Sequence, residues 1–196
     1  MGLPHLDAFT GTDGTLLRNY NAGWVRTTSG PEFQINTNSA AGQGSEVGVI
    51  KWDGDGSFNA AQYATGKIVA ITGDQFIGVA CRVQTLNSGY YFMGHSDKSI
   101  FGYYLAGSPV TIADNLAALN VNDILRMEFD SGGNYICKIN GSTVASGSDS
   151  TFATGQCGLS TYNGNTSSRI DDIELGNQAS SIVIPVFMNQ YRQRRS

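Results

Sequence analysis

Charge is scarce in this chain: Asp, Glu, Lys and Arg make up 14% of its 196 residues, against roughly a quarter in ordinary soluble domains. Amphipathic helices usually wet their outer face with Lys and Glu, so the shortage argues against a helical protein. Histidine is almost missing. With only His5 and His95 in the chain, a Ser–His–Asp triad would have to use one of them. Cysteine is sparse and odd in number, and Cys81, Cys137 and Cys157 lie too far apart for a zinc ribbon. Buried free thiols are expected, with a single disulfide as the alternative. No apolar run reaches the length of a membrane span, so no membrane partner is expected. Met1 to Leu6 show neither a basic n-region nor a long apolar stretch, and no signal peptide is expected.

What is abundant is glycine (25 residues) and aromatic side chains (9 Phe, 9 Tyr, 2 Trp) within a 40% apolar composition. That mix can fill one core and favours short strands joined by tight turns. The net charge of −4 gives no electrostatic reason to expect nucleic acid as a partner. Period-two alternation supports strands throughout. In Ile124–Asp130, Leu125, Met127 and Phe129 face one way and the charges the other. A Ser131-Gly132-Gly133 turn leads into Tyr135–Ile139. Asn140-Gly141, both tolerant of φ > 0, then predicts a type I′ hairpin into Ser142–Ala145. Similar runs occur at 48–52, 67–72, 76–83, 90–94, 102–105 and 169–175, separated by clusters such as Asp53-Gly54-Asp55-Gly56 and Tyr162-Asn163-Gly164-Asn165. Asp114–Leu119 is the one helix candidate. An all-β antiparallel sandwich is predicted over residues 1–176, with residues 177–196 as a linker and an extended C-terminal arm.

The order of these pieces resembles the concanavalin A-like (laminin G-like) jelly rolls found in bacteriophage virion proteins and some secreted bacterial proteins. The resemblance rests on Asp7–Leu17, Trp24, the Val79-Ala80-Cys81-Arg82 and Tyr90-Tyr91 strands, the Asn122–Arg126 and Asn140-Gly141 hairpins, and the closing Arg169-Ile170-Asp171-Asp172-Ile173-Glu174. It implies a jelly-roll sandwich of two antiparallel sheets with the first and last strands adjacent. A superfold of this kind does not assign a function. In several of its families an acid on the last strand joins one near the first to hold structural Ca²⁺, and Asp7 and Asp171 resemble that pair. Simple alternation places Asp171 with Ile173 and Leu175, facing inward, where a carboxylate is costly unless satisfied. The alternative is that Asp171 pairs with Arg169, two residues away, or accepts backbone N–H bonds.

Catalytic constellations are incomplete. The glucanases of this fold carry Glu-x-Asp-x-x-Glu, and Glu128-Phe129-Asp130 lacks the third carboxylate, with Gly133 in its place. Gly94-His95-Ser96-Asp97-Lys98 departs from a nucleophile elbow at its last position and reads as a hairpin loop. Asp53 opens an EF-hand-like loop that fails at Phe58 and Ala64. No enzyme is expected. For a glycan, the candidate stacking rings are Trp52, Tyr90, Tyr91, Tyr103 and Tyr104, the alternative being that they fill the core.

The C-terminus differs from the body. Up to Glu174 the chain holds nine Lys and Arg against 16 Asp and Glu, and its final five residues hold three arginines. The arm offers Ile182, Val183, Ile184, Val186, Phe187, Met188 and Tyr191, then Arg192, Arg194 and Arg195, with Pro185 suiting an edge or extended segment. Such an arm fits strand addition to an acidic neighbour. The leading expectation is therefore a non-enzymatic bacteriophage virion structural protein: a capsid decoration or cement protein, or a tail or head-fibre component. It would be made in the host cytoplasm and held to sister subunits or other virion proteins. The alternative is a carbohydrate-binding module or receptor-binding domain recognising a surface glycan.

Overall fold

A computed structural model of the chain describes residues 3–27, 32–54, 56–164 and 166–178. The arm candidates, Ile182 to Arg195, lie outside the described residues. The alternating segments form strands, with one helical turn near the start. In chain order the elements are β1 (His5–Asp7), α1 (Leu17–Tyr20), β2 (Trp24–Arg26), β3 (Phe33–Ile35), β4 (Ala40–Gly42), β5 (Gly48–Trp52), β6 (Gln62–Ala70) and β7 (Phe76–Val83). They continue with β8 (Gly89–Gly94), β9 (Ser99–Leu105), β10 (Ser108–Leu116), β11 (Ile124–Phe129), β12 (Asn134–Ile139), β13 (Ser142–Ser148), β14 (Gln156–Tyr162) and β15 (Arg169–Asn177).

Two antiparallel sheets result, as predicted. The eight-stranded sheet runs β13-β12-β11-β6-β15-β4-β3, with β1 also paired to β15, and the seven-stranded sheet runs β10-β9-β8-β7-β14-β5-β2. First and last strands are adjacent, His5 opposite Leu175 and Asp7 opposite Ile173. The 124–145 meander forms as β11, β12 and β13, and Asn140 (φ 50°) and Gly141 (φ 81°) take the left-handed conformations the hairpin needs. Between the sheets, one core gathers Phe92, Phe101, Phe129, Leu125, Met127, Leu159 and Ile170 with their neighbours. Cys81, Cys137 and Cys157 are buried in it as free thiols.

Three sequence expectations need correcting. Asp114–Leu119 is not helical; residues up to Leu116 belong to β10, paired with β9. A segment that short gains too few helical hydrogen bonds to nucleate a helix, whereas the β9 edge supplies a ready ladder. Asp171 does not share a face with Ile173, because the β15–β6 register slips between Asp171 and Glu174 and Asp172 takes φ 49°. This bulge inserts one residue, so Ile170, Ile173 and Leu175 all reach the core and the alternation is broken. Arg169 does not turn to Asp171 but donates to the Asn36 carbonyl (3.5 Å).

Small residues let neighbouring strands approach. A Cβ on Gly158 would stand 1.9 Å from the Ile50 carbonyl oxygen. Gly158→Ala is expected to cost about 1–3 kcal/mol by forcing β5 and β14 apart, measurable as a lowered midpoint in thermal denaturation with the fold retained. A wild-type midpoint would show that the strand pair yields without strain.

Candidate functional site

The outer face of the seven-stranded sheet is distinct from the core. Along β7, Ile77, Val79 and Cys81 point inward, while Ala80 belongs to a second apolar cluster with Val49, Tyr91, Met93 and Tyr104. Cross-strand pairing sets its rows: Lys51, Gly158, Ala80, Tyr91 and Gly102 form one, and Val49, Ser160, Gly78, Met93 and Ile100 the next. At one end of the sheet the register slips near Gln156 and Arg82 takes φ 51°. That bulge turns the Arg82 side chain inward and leaves Val83 with the outer cluster. Next to it is a shallow depression of about 300 Å³ lined by Lys51, Phe58, Val83, Gln84, Thr154 and Gln156, among others.

The opposite end of the same face presents a different grouping. Tyr162 ends β14 directly opposite Phe76 at the start of β7. Its ring is 44% exposed, the one exposed Phe, Tyr or Trp among the described residues. The Phe76 ring sits 6.3 Å from Tyr162 and meets the His95 imidazole edge-on at 4.4 Å. His95 lies in the β8–β9 hairpin, closed by its own N–H donating to the Lys98 carbonyl (2.9 Å). Its Nδ1 accepts the Asp97 backbone N–H (3.2 Å), which in the neutral ring leaves the proton on Nε2. Asp97, with its side chain 76% exposed, and Asn163, which donates to the Asp74 carbonyl (2.8 Å), flank the rings. His95 itself is buried and backs the rings; the exposed Tyr162 ring, the half-buried Phe76 and the short polar side chains have the chemistry to stack on a sugar face and bond its hydroxyls.

The rings chosen from sequence fare differently. Trp52 is buried, stacked on His5 at 3.5 Å and edge-on to Trp24 at 5.4 Å. Tyr90 lies in the core, its hydroxyl donating to Asp149 Oδ1 and accepting from the Phe152 N–H. Burial and the Asp149 bond push its pKa to about 12. Tyr91 and Tyr104 do sit on the outer face, 4.5 Å apart, but both are buried, and burial raises both phenols. Tyr103 is half-buried against Tyr90 and Phe152. As glycan platforms, Trp52, Tyr90, Tyr91 and Tyr104 are therefore corrected to packed residues, because a ring without accessible faces stacks on nothing from solvent. The residue that sequence reasoning passed over is Tyr162. It stands where a strand runs into the Asn163-Gly164 turn, a place where a ring is seldom covered.

The calcium pair, Asp7 and Asp171, lies within electrostatic reach of one another, the Asp7 charge adding to burial in raising Asp171, but Asp7 is engaged by protein donors. Asp7 Oδ1 accepts the Phe9 N–H (2.9 Å) and the Tyr20 hydroxyl (3.1 Å), and Oδ2 accepts the Trp24 indole N–H (2.9 Å). Three protein donors thus occupy Asp7, and His5 Nε2 stands 3.6 Å from Oδ2. Asp171 keeps one buried oxygen without a hydrogen bond, and burial, then the charges of Asp172 and Asp7, raises its pKa. Among the described residues, no three His, Cys, Asp or Glu side chains converge as a metal would need.

Glu128 and Asp130 are also poor acid catalysts. Burial alone would raise Glu128, but hydrogen bonds from Lys138 and Arg126 outweigh it and hold the carboxyl below its usual range. Asp130 is held low by Asn134, while its Oδ1 caps the turn by accepting the Gly132 and Asn134 N–H groups (2.8 and 2.9 Å). A glycosidase acid needs the opposite shift.

No family model matches the sequence, and no curated protein matches it. Solved structures do share the fold. A carbohydrate-binding module, CBM66 from Bacillus subtilis, superposes with a TM-score of 0.66 at 18% identity, covering 79% of this chain and 96% of its own. The carbohydrate recognition domain of Emp46p in its metal-free form gives 0.58 at 7% identity, over 89% and 95%. The Bacillus licheniformis beta-glucanase gives 0.51 at 9% identity, over 91% and 100%. At these identities the likeness establishes the concanavalin A-like jelly-roll architecture and no more.

Proposed function

We propose that this protein is a non-catalytic carbohydrate-binding module whose sugar platform is the Phe76–His95–Tyr162 corner. The observation that carries the reading is the exposed Tyr162 ring, set beside Phe76 and His95 on a sheet whose other large rings are buried or half-buried. The fold supports it: two of the neighbours are, by their own names, a carbohydrate-binding module and a carbohydrate recognition domain. The likeness to a glucanase carries no catalytic reading here, since Glu128 and Asp130 are occupied in ion pairs and a turn. Exposed Asp74 and Asp97 around the rings disfavour anionic sugars, so the ligand class is a neutral glycan. A virion structural role, the leading expectation from sequence, finds no support in this geometry or in these neighbours.

The test is retention on immobilised neutral polysaccharides or a glycan array. Wild type should bind at least one class, and Tyr162→Ala should weaken binding roughly tenfold with an unchanged thermal midpoint. Tyr162→Phe, which keeps the ring face, should bind nearly as wild type. Failure of wild type to bind any neutral glycan, or full binding by Tyr162→Ala, would remove the proposal.

A further inference from the structure

Three thiols lie in the core between the sheets, and two of them touch. Cys81 in β7 and Cys157 in β14 are both 0% exposed, with their Sγ atoms 3.7 Å apart. Register sets the contact. Gly158 pairs with Ala80, which brings Cys157 opposite Cys81 just before the ladder slips between Gly158 and Gln156. Among the described residues this is the one thiol–thiol contact close enough for a hydrogen bond. Cys137 belongs to β12 of the other sheet, where burial and then the nearby Cys81 raise its thiol. Around the touching pair, the Cys157 thiol donates to Gln62 Oε1 (3.1 Å) and the Tyr63 carbonyl (3.4 Å), and the Cys81 thiol to the Met127 carbonyl (3.9 Å).

We infer that Cys81 and Cys157 form a disulfide when the chain folds in the presence of a small-molecule disulfide such as oxidised glutathione. One cysteine thiolate attacks a sulfur of the oxidant, whose S–S bond breaks and releases one thiol. The second cysteine then attacks the mixed disulfide, releasing the other thiol and leaving the protein's own S–S bond. The two cysteines lose two protons and two electrons, and the oxidant is reduced to two thiols. Opposed residues of an antiparallel pair have the backbone spacing that a disulfide spans. The sulfurs close from 3.7 Å to about 2.05 Å. The bulge at Arg82 (φ 51°) already interrupts the ladder beside the pair, so the strands can yield there without breaking a regular run of bonds. Burial, then Cys81, pushes the Cys157 thiol well above the ordinary cysteine range. Thiolate is therefore scarce once the sandwich has closed, and exchange belongs to the stage at which the sheets come together. The link ties β7 to β14 at the end opposite Phe76 and Tyr162. It joins residues 76 positions apart, and closing so long a loop strongly restricts the unfolded chain. The inference does not depend on the glycan reading.

The test refolds the unfolded, reduced full-length chain with a mixture of reduced and oxidised glutathione and, in parallel, with reductant alone. Free thiols are then alkylated in denaturant, and the peptides are mapped by mass spectrometry without reduction. The oxidised sample should show Cys81–Cys157 as its main link within one chain, with Cys137 alkylated. Its thermal midpoint should exceed that of the reduced protein by about 10 °C, and added reductant should abolish the difference. The pairing itself is diagnostic, because loop closure in a disordered chain favours the cysteines nearest in sequence, Cys137 and Cys157. Cys137→Ala should keep both the link and the shift, and Cys157→Ala should lose both. Recovery of Cys81 and Cys157 as alkylated thiols from the glutathione-treated protein would overturn the inference. So would a main link through Cys137 or between chains, or a Cys81–Cys157 link that leaves the midpoint unchanged or lower.

Discussion

Arg82→Ala is expected to cost about 3–5 kcal/mol, the usual penalty for breaking a buried charge network, and to lower the thermal midpoint by roughly 10–15 °C. Arg82 is 1% exposed and its guanidinium is held by main-chain carbonyls. Nη1 donates to Phe152 (2.9 Å), and Nη2 donates to Ala60 (2.9 Å) and Asp130 (2.7 Å). The planar group also lies 4.4 Å from the centre of the Phe129 ring. Burial pulls its pKa below the ordinary arginine value, yet a guanidinium at that depth stays charged. Removing it would strand three acceptors and leave three connections untied: the one before β6, the β11–β12 turn and the one before β14. Arg82→Lys should recover only part of the loss, since one ammonium cannot fork to carbonyls on different sides. Denaturant melts of the three proteins decide the matter, and an alanine variant within about 1 kcal/mol of wild type would show the clamp to be incidental. Hydrogen exchange should rise first in the loops around Ala60 and Phe152, which also shape the depression beside Gln156.

The second large effect belongs to Asp7. Asp7→Ala should cost about 3–5 kcal/mol, because it leaves the Trp24 indole, the Tyr20 hydroxyl and the Phe9 N–H without their shared acceptor. The same carboxylate makes stability depend on pH. Burial would raise its pKa, but the neighbouring His5 imidazole (3.6 Å) and hydrogen bonds from Trp24, Phe9 and Tyr20 outweigh that and bring it below the value 3.8 of a free aspartate. The unfolded chain therefore binds the proton first as pH falls. Its contribution is fully present above about pH 4–5 and is lost as pH drops through the lowered folded value. Asp149 and Glu128, also lowered, act in the same direction. Asp171, raised by burial, acts in the other and becomes less unfavourable on acidification. Stability measured from pH 6 down to 2 should fall, and Asp7→Asn, which has no proton to gain, should show a shallower fall from a lower plateau. An unchanged slope in Asp7→Asn would assign the acid sensitivity elsewhere.

Much of the architecture was legible because it rests on local rules. Leu125, Met127 and Phe129 alternate with Arg126 and Glu128, and that period of two can satisfy only a strand with one buried face. Asn140-Gly141 accepts the left-handed backbone a two-residue hairpin demands. The ring platform was not legible. Six of the other eight tyrosines come from strand-like contexts similar to that of Tyr162, and whether a ring is wet depends on what crosses it from strands distant in sequence. Tyr90 is covered by Phe152 and Phe129, residues that no local pattern joins to it. Asp171 failed for a related reason: a single bulge at Asp172 resets which side chains face inward, and alternation counts contain no signal for it.

Composition and periodicity by themselves determined a two-sheet β sandwich with an acidic body, since strand pattern, turn chemistry and charge are properties of neighbouring residues. Only the tertiary structure decided that Asp7 is held by protein donors, that Arg82 is an internal clamp, and that Tyr162 stays in water while Tyr91 and Tyr104 do not. Solvent access and hydrogen-bond partnership are set by segments tens of residues apart, and they acquire values only when the sheets close on one another.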